Sequence, residues 1–214
     1  MPFRAIVFDF NGTLSDDEPL LCDIFVEMFA DRGRPLSARE YYDHLAGLSD
    51  PEIVLTWLGR DYPDVDGAVQ ERVQRYREAV SDGSTVHDYV REAVRYAAER
   101  VPLAICSGAA RAEIEPVVEA AGLAPLLRGI VSSDDVADGK PHPEGYLKAL
   151  ELLDGAAAHE VLAIDDTEAG VASAKAAGLV TFAKTGTLDP HRLAEADELV
   201  DRIDLELMQR VLGG

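Results

Sequence analysis

The chain has 214 residues, 47% of them hydrophobic and 7% aromatic, enough for one substantial core with a smaller inserted module. Lys and Arg total 20 against 40 Asp and Glu, and the formal charge of -20 repels nucleic-acid phosphates and anionic lipid with no basic cluster to compensate. A general DNA or RNA binder is excluded, and any phosphorylated ligand must be drawn in by local cations or a bound metal.

The amino-terminal segment MPFRAIVFDFNG lacks a basic stretch leading into a long apolar one. No window approaches the roughly 18 apolar residues of a membrane span. Cys22 and Cys106 lie far apart in unlike segments, with no disulfide framework or zinc spacing. The expectation is a cytoplasmic protein that crosses no membrane.

Ala5-Ile6-Val7-Phe8 is a continuous apolar run that breaks at Asp9, the pattern of a strand buried on both faces, and Asn11-Gly12-Thr13 supplies a turn after it. From about Asp16 to Ser84 the sequence predicts helices only: Leu20 to Arg32, Ser37 to Ala46, Pro51 to Leu58 and Val65 to Val80. Ser81-Asp82-Gly83-Ser84 reads as a return hinge. Strand runs then resume at Pro102 to Cys106, Gly129 to Val131 and Val161 to Ile164, each stopping at polar residues, with helical segments from Val86 to Arg100, Ala110 to Ala121, Pro143 to Leu153 and Glu168 to Ala177. Leu179 to Ala183 and Glu198 to Val200 are further strands, the last at an edge. The expected class is α/β, a doubly wound parallel sheet with an inserted all-helical cap. Residues 1–15 and 85–214 would form the core and 16–84 the cap.

In an open parallel sheet the carboxyl ends of the strands face one crevice, so four separate strand ends converge on one ligand. Asp9 is a carboxylate placed to act as a nucleophile beside a turn whose N–H groups suit phosphate oxygens. Ser107 and Gly108, ahead of a helix, offer a hydroxyl and free N–H groups to an anion. Lys140, flanked by Pro141 and Pro143, is a cation for phosphate. Asp165 and Asp166 are adjacent carboxylates whose repulsion a hard cation such as Mg²⁺ would relieve. Each feature alone has an ordinary structural role as a turn residue, helix cap, loop lysine or acidic first turn; the convergence distinguishes them.

These four segments, in this order and with the helical insert after the first, resemble the haloacid dehalogenase superfamily, in particular its phosphatase and β-phosphoglucomutase-like members with a helical cap. Leu14-Ser15-Asp16-Asp17-Glu18-Pro19-Leu20 resembles the lead into that cap, Lys140-Pro141-His142-Pro143-Glu144-Gly145-Tyr146 the lysine motif, and Ile164-Asp165-Asp166-Thr167-Glu168-Ala169-Gly170-Val171 the metal motif. The resemblance implies a Rossmann-like core and an Mg²⁺-dependent hydrolase of a small phosphorylated metabolite. It implies Asp9 as phosphoryl acceptor, Ser107 and Lys140 as phosphate ligands, and Asp9, the Asn11 backbone carbonyl and Asp166 on Mg²⁺, with Asp165 assisting.

One residue departs from the pattern. The family's phosphatases usually carry a second Asp two residues after the nucleophile, where it exchanges protons with the leaving group and with water; this chain has Asn11, whose amide cannot. Reduced activity is expected, with a catalytically impaired metabolite-binding or regulatory protein, or a phosphoryl transferase or phosphomutase, as alternatives. Asp50 stands where mutase-like relatives tend to have a phosphate-gripping arginine, which weighs against the mutase. No P-loop, dinucleotide fingerprint or Gly-x-Ser-x-Gly motif is present, and the five histidines lack metal-ligand spacing.

Overall fold

The structure is a computed structural model that describes residues 2–80 and 82–213. Six strands, all parallel, form one sheet in the order β3-β2-β1-β4-β5-β6: β1 (Ala5–Phe8), β2 (Leu103–Cys106), β3 (Gly129–Val131), β4 (Val161–Asp165), β5 (Val180–Lys184) and β6 (Glu198–Val200). The chain runs outward from β1 to β3, returns to pair β4 with β1, and continues to β6 at the far edge. The β1/β4 boundary is therefore the point where strand order reverses and connections leave in opposite directions, opening a crevice above the strand ends.

The apolar runs are continuous because both sheet faces are covered, and side-chain direction alternates along each strand. Ile6, Phe8, Leu103, Ile105, Leu162 and Ile164 all face one core, built with α5 (Asp88–Ala98), α6 (Arg111–Ala120) and α9 (Leu205–Leu212). Ala5, Val7, Ala104, Val161 and Ala163 face the other, where α7 (Glu144–Glu151) and α8 (Glu168–Ala176) contribute Tyr146, Ala149 and Ala174. Large residues on one face and small ones on the other let α7 and α8 sit close to the sheet.

Between β1 and β2 lie α1 (Glu18–Asp31), α2 (Ala38–His44), α3 (Asp50–Leu58) and α4 (Val65–Val80), as the periodicity predicts. Their apolar faces, including Phe25, Met28, Phe29, Tyr41, Ile53 and Tyr76, join the same buried cluster as Phe8 and Ile105. α4 packs on α1 and α3 and also on α6 of the sheet layer, tying the insert to the rest. Of the predicted hinge, Ser81 lies outside the described residues, and Arg91 donates to the carbonyl of Gly83 at 2.8 Å.

The helix after β2 starts at Arg111 with Ala110 as its N-cap, within a residue of the start that the sequence predicts, and residues 107–110 form a loop over the strand end. A terminal helix, α9, was not foreseen, although Asp204 accepts from the Leu207 N–H at 2.9 Å as its cap and Gly213 closes it with φ of 75°. Helix α8 begins hard against the end of β4: a Cβ at Gly170 would collide with the carboxyl group of Asp165.

Ala normally favours a helix interior over Gly by about 1 kcal/mol, but overpacking a buried site costs about 1–3 kcal/mol. Gly170→Ala is therefore expected to destabilise the protein by about 2 kcal/mol in urea unfolding. Equal or greater stability would contradict this packing.

Candidate active site

Asp9 follows β1, and its backbone N–H donates to the Ile164 carbonyl at 2.8 Å, fixing it beside β4. Asp165 ends β4 and Asp166 follows; all three carboxylates are buried, at 6%, 0% and 1% exposure. One oxygen from each lies within 4.8 Å of the other two. Three anions this close need compensation. Lys140 supplies part of it: its ammonium donates to Asp9 Oδ1 at 2.5 Å and to Asp165 Oδ2 at 2.7 Å.

The four groups share protons and charge unequally. Burial opposes the charge on Lys140, but Asp165 and Asp9 outweigh it and raise its pKa. Burial likewise pushes Asp165 up, yet Lys140, with help from Tyr146 and the Thr167 N–H, holds it below the ordinary carboxylate range. Asp9 is raised by burial and by Asp165 and Asp166, with Lys140 pulling the other way. Asp166 is pushed up to about 7, first by burial and then by the charge of Asp165.

The hydrogen bonds separate the roles of the adjacent carboxylates. Asp165 Oδ1 accepts from the Thr167 N–H at 3.0 Å and hydroxyl at 2.9 Å, while Oδ2 accepts from Lys140 and from the Tyr146 hydroxyl at 2.8 Å. Both oxygens of Asp165 are taken. Asp166 Oδ1 accepts from Thr13 at 2.8 Å, whereas Oδ2 is buried with no partner. A carboxylate with an orphaned buried oxygen, within reach of two further carboxylates, is a hard-oxygen donor set that fits a divalent cation such as Mg²⁺. Gly12 has φ of +69°, and a Cβ there would strike the Asp166 carboxylate, so the turn after β1 requires glycine on both counts.

The remaining predicted residues come to the same crevice. Asp9, Asn11, Ser107, Gly108, Lys140 and Asp166 all line one cavity of about 540 Å³, whose outer wall is drawn from α1, α3 and α4. Ser107 is 6% exposed and accepts from the Ala109 N–H at 3.2 Å. Asp165 sits just behind the cavity, holding Lys140.

Asn11 is tied into a buried group that the sequence did not expose. Its amide donates to Asp17 Oδ2 at 2.9 Å and lies 3.2 Å from the Tyr76 hydroxyl. Asp17 also accepts from Tyr76 at 2.5 Å and from the Gly12 N–H at 3.1 Å. Asp17 is thus a fully buried carboxylate whose pKa burial raises against these donors. Nearby, Glu18 is half-buried on the cavity wall, accepts from the Tyr41 hydroxyl at 3.0 Å, and is pushed up to about 7 by burial. Glu18 and Asp17 stand in the segment that resembles the family's lead into the cap, but only the fold brings Tyr41 and Tyr76 to them.

A parallel sheet with order 3-2-1-4-5-6 and acidic groups clustered where β1 meets β4 defines a Rossmann-like α/β crevice with an acidic floor. Residues 3–178 match the family described as haloacid dehalogenase-like hydrolase, and the chain belongs to that family. Among curated relatives, the protein CbbY of Rhodobacter capsulatus is 32% identical, the match covering 84% of each chain. The validoxylamine A 7'-phosphate phosphatase of Streptomyces hygroscopicus subsp. limoneus is 26% identical, covering 92% of this chain and 93% of the relative. Among solved structures, a mutant CbbY from Rhodobacter sphaeroides in complex with xylulose-(1,5)bisphosphate superposes with a TM-score of 0.82 at 26% identity, covering 96% of each chain. No helix among the described residues is long and apolar enough to cross a membrane.

The raised pKa of Asp166 makes metal-free stability depend on pH. The unfolded group ionises near 3.8 and the folded one at about 7, so the native state holds the extra proton between those values and stability falls as pH rises through 7. In EDTA, melting temperature is expected to drop between pH 5.5 and 8 by several degrees more in the wild type than in Asp166→Asn, a difference on the order of 2 kcal/mol. Parallel pH profiles for the two proteins would contradict the assignment.

Proposed function

We propose that the protein is an Mg²⁺-dependent hydrolase of a small phosphate monoester, working through a phosphoryl-aspartate on Asp9. The observation that carries this is the buried Asp166 carboxylate, one of its oxygens without a partner, standing with Asp9 and Lys140 on one cavity wall. Asp9, the Asn11 backbone carbonyl and Asp166 would hold the metal. Bound there, it would offset the carboxylates and the phosphate and stabilise charge on the transferring phosphoryl group. Asp165, with both oxygens taken, serves by holding Lys140 in place.

Lys140 opposes the effect of burial on Asp9, whose pKa is still raised on balance, and a metal bound beside it would complete the shift toward the ionised nucleophile. The Asp9 carboxylate attacks phosphorus as the bond to the leaving oxygen breaks; water then attacks the phosphoryl-aspartate, its proton passing to the group that protonated the leaving oxygen, which returns Asp9 as a carboxylate and releases phosphate. Ser107 and the N–H groups of the loop through Gly108 grip the non-bridging oxygens. In this reading residues 16–84 form a cap over the core of residues 1–15 and 85–214, excluding water and selecting the substrate.

The leaving oxygen still needs a proton that Asn11 cannot provide. Glu18, on the cavity wall with its pKa pushed up to about 7, is the group suited to give it. Asn11 itself is matched to Asp17: a carboxylate at position 11 would face a second one within hydrogen-bond distance, and one of them would stay protonated. The same buried pairing is what favours the alternative of a metabolite-binding protein with negligible turnover.

Phosphate release from a phosphometabolite panel with Mg²⁺ separates these readings. The wild type is expected to turn over slowly, Glu18→Gln to lose about tenfold or more, and the charge swap Asn11→Asp with Asp17→Asn to gain about 10²-fold, more than Asn11→Asp alone. Tight binding with no turnover by the wild type or the swap would overturn the hydrolase.

A further inference from the structure

The walls of the cavity carry two cationic side chains, Lys140 and Arg72, and both are already engaged by carboxylates. Lys140 is committed to Asp9 and Asp165 at the phosphoryl end. Arg72, on α4, is 5% exposed and forms ion pairs with Asp50 at the start of α3 and with Glu113 on α6. One guanidinium between two carboxylates leaves that wall with a net negative charge, and Glu18 on α1 adds to it when ionised. Around them the lining is apolar, with Leu21, Phe25, Ile53, Val69 and Val73.

A second anionic group on the substrate would meet this wall without a free cation. It could reach Arg72 only by displacing a partner. Glu113 is 1% exposed and also accepts from the Ala110 N–H at 3.1 Å, so it has nowhere to go; Asp50, with its side chain 21% exposed, is the partner that would have to swing into water. The Nε of Arg72 is buried without a partner, so the guanidinium is not fully satisfied even with both acids in place. Swung into water, Asp50 loses its cation, while the incoming anion shares Arg72 with Glu113 and meets Glu18 on the same wall, a like-charge arrangement that costs affinity.

We propose, resting on the hydrolase reading above, that the substrate is a phosphate monoester whose leaving group carries no second anionic group. Arg72 clamps the helical insert to the sheet layer through Glu113, and with Asp50 it selects by exclusion. A bisphosphate such as the one bound in the CbbY structure would be a poor ligand here, as would a phosphorylated carboxylic acid.

Two matched pairs of esters test this: sorbitol 6-phosphate against 6-phosphogluconate, and 2-hydroxyethyl phosphate against 2-phosphoglycolate. Binding is read by calorimetric competition with inorganic phosphate in the presence of Mg²⁺, so the ranking does not depend on turnover. In the wild type the carboxylate member of the longer pair is expected to bind at least about tenfold more weakly, and the shorter acid no better than its neutral partner. In Asp50→Asn, where Arg72 keeps one acidic partner, the penalty on 6-phosphogluconate is expected to shrink about tenfold. Wild-type protein that binds either acid better than its neutral partner, or an unchanged penalty in Asp50→Asn, would overturn the proposal while leaving the hydrolase reading intact. Failure of all four esters to displace phosphate, together with no turnover of the panel, would overturn both.

Discussion

The bridge from the Lys140 ammonium to Asp9 and Asp165 is the contact on which the rest of the site depends. Three buried carboxylates meet where β1 and β4 lie side by side, and their mutual repulsion would push them apart or protonate them all without a cation. Lys140 answers only part of that charge. It satisfies Asp165, which Tyr146 and Thr167 also bind, and it favours ionised Asp9, but Asp166 is left with one oxygen bare. Fixed cation on one side and unmet acceptor on the other give the crevice its polarity. The acidity of the whole chain, which should repel a phosphate, is thus countered here only in part, and a bound cation would supply the rest.

Much of this was legible in the sequence for a simple reason. A strand buried on both faces leaves an unbroken apolar run, and each run ends where the backbone reaches the crevice, so Asp9, Ser107 and Asp165 announce themselves by position. The division of labour between Asp165 and Asp166 was not legible, because it depends on Tyr146 reaching Asp165 from α7 and Thr13 reaching Asp166 across 153 positions. Likewise Asp50 read as a missing cation, whereas the fold brings Arg72 to it from α4 and Glu113 to both from α6. Such partners sit on different elements, and no local periodicity reports them. Helix α9 is different: Asp204, the apolar Leu207, Met208 and Val211, and Gly213 gave a short but complete signal.

The buried group around Asn11 changes how the departure from the family pattern is understood. An amide at that position fits a neighbourhood already holding a carboxylate at Asp17, and the Tyr76 hydroxyl closes the triangle. A carboxyl group thus stands next to the turn after β1, on Asp17, one layer back from the cavity. With Asp166 assigned to the metal in the proposed reading, the other cavity-wall carboxyl pushed up to about 7 is Glu18. In the proposed reading the site combines a phosphate and metal cradle with a distinct arrangement for moving protons, and the insert's cavity-lining cation, Arg72, is already paired.

The central claim is that Asp9 and Asp166 share one divalent cation while Asp9 accepts the phosphoryl group. A crystal grown with Mg²⁺ and beryllofluoride tests it most directly. The account predicts beryllium bonded to an Asp9 carboxylate oxygen, Mg²⁺ on Asp9 and Asp166, and Lys140 against the fluorides. Beryllofluoride absent from Asp9 at saturating concentration, or Mg²⁺ bound without Asp166, would contradict it.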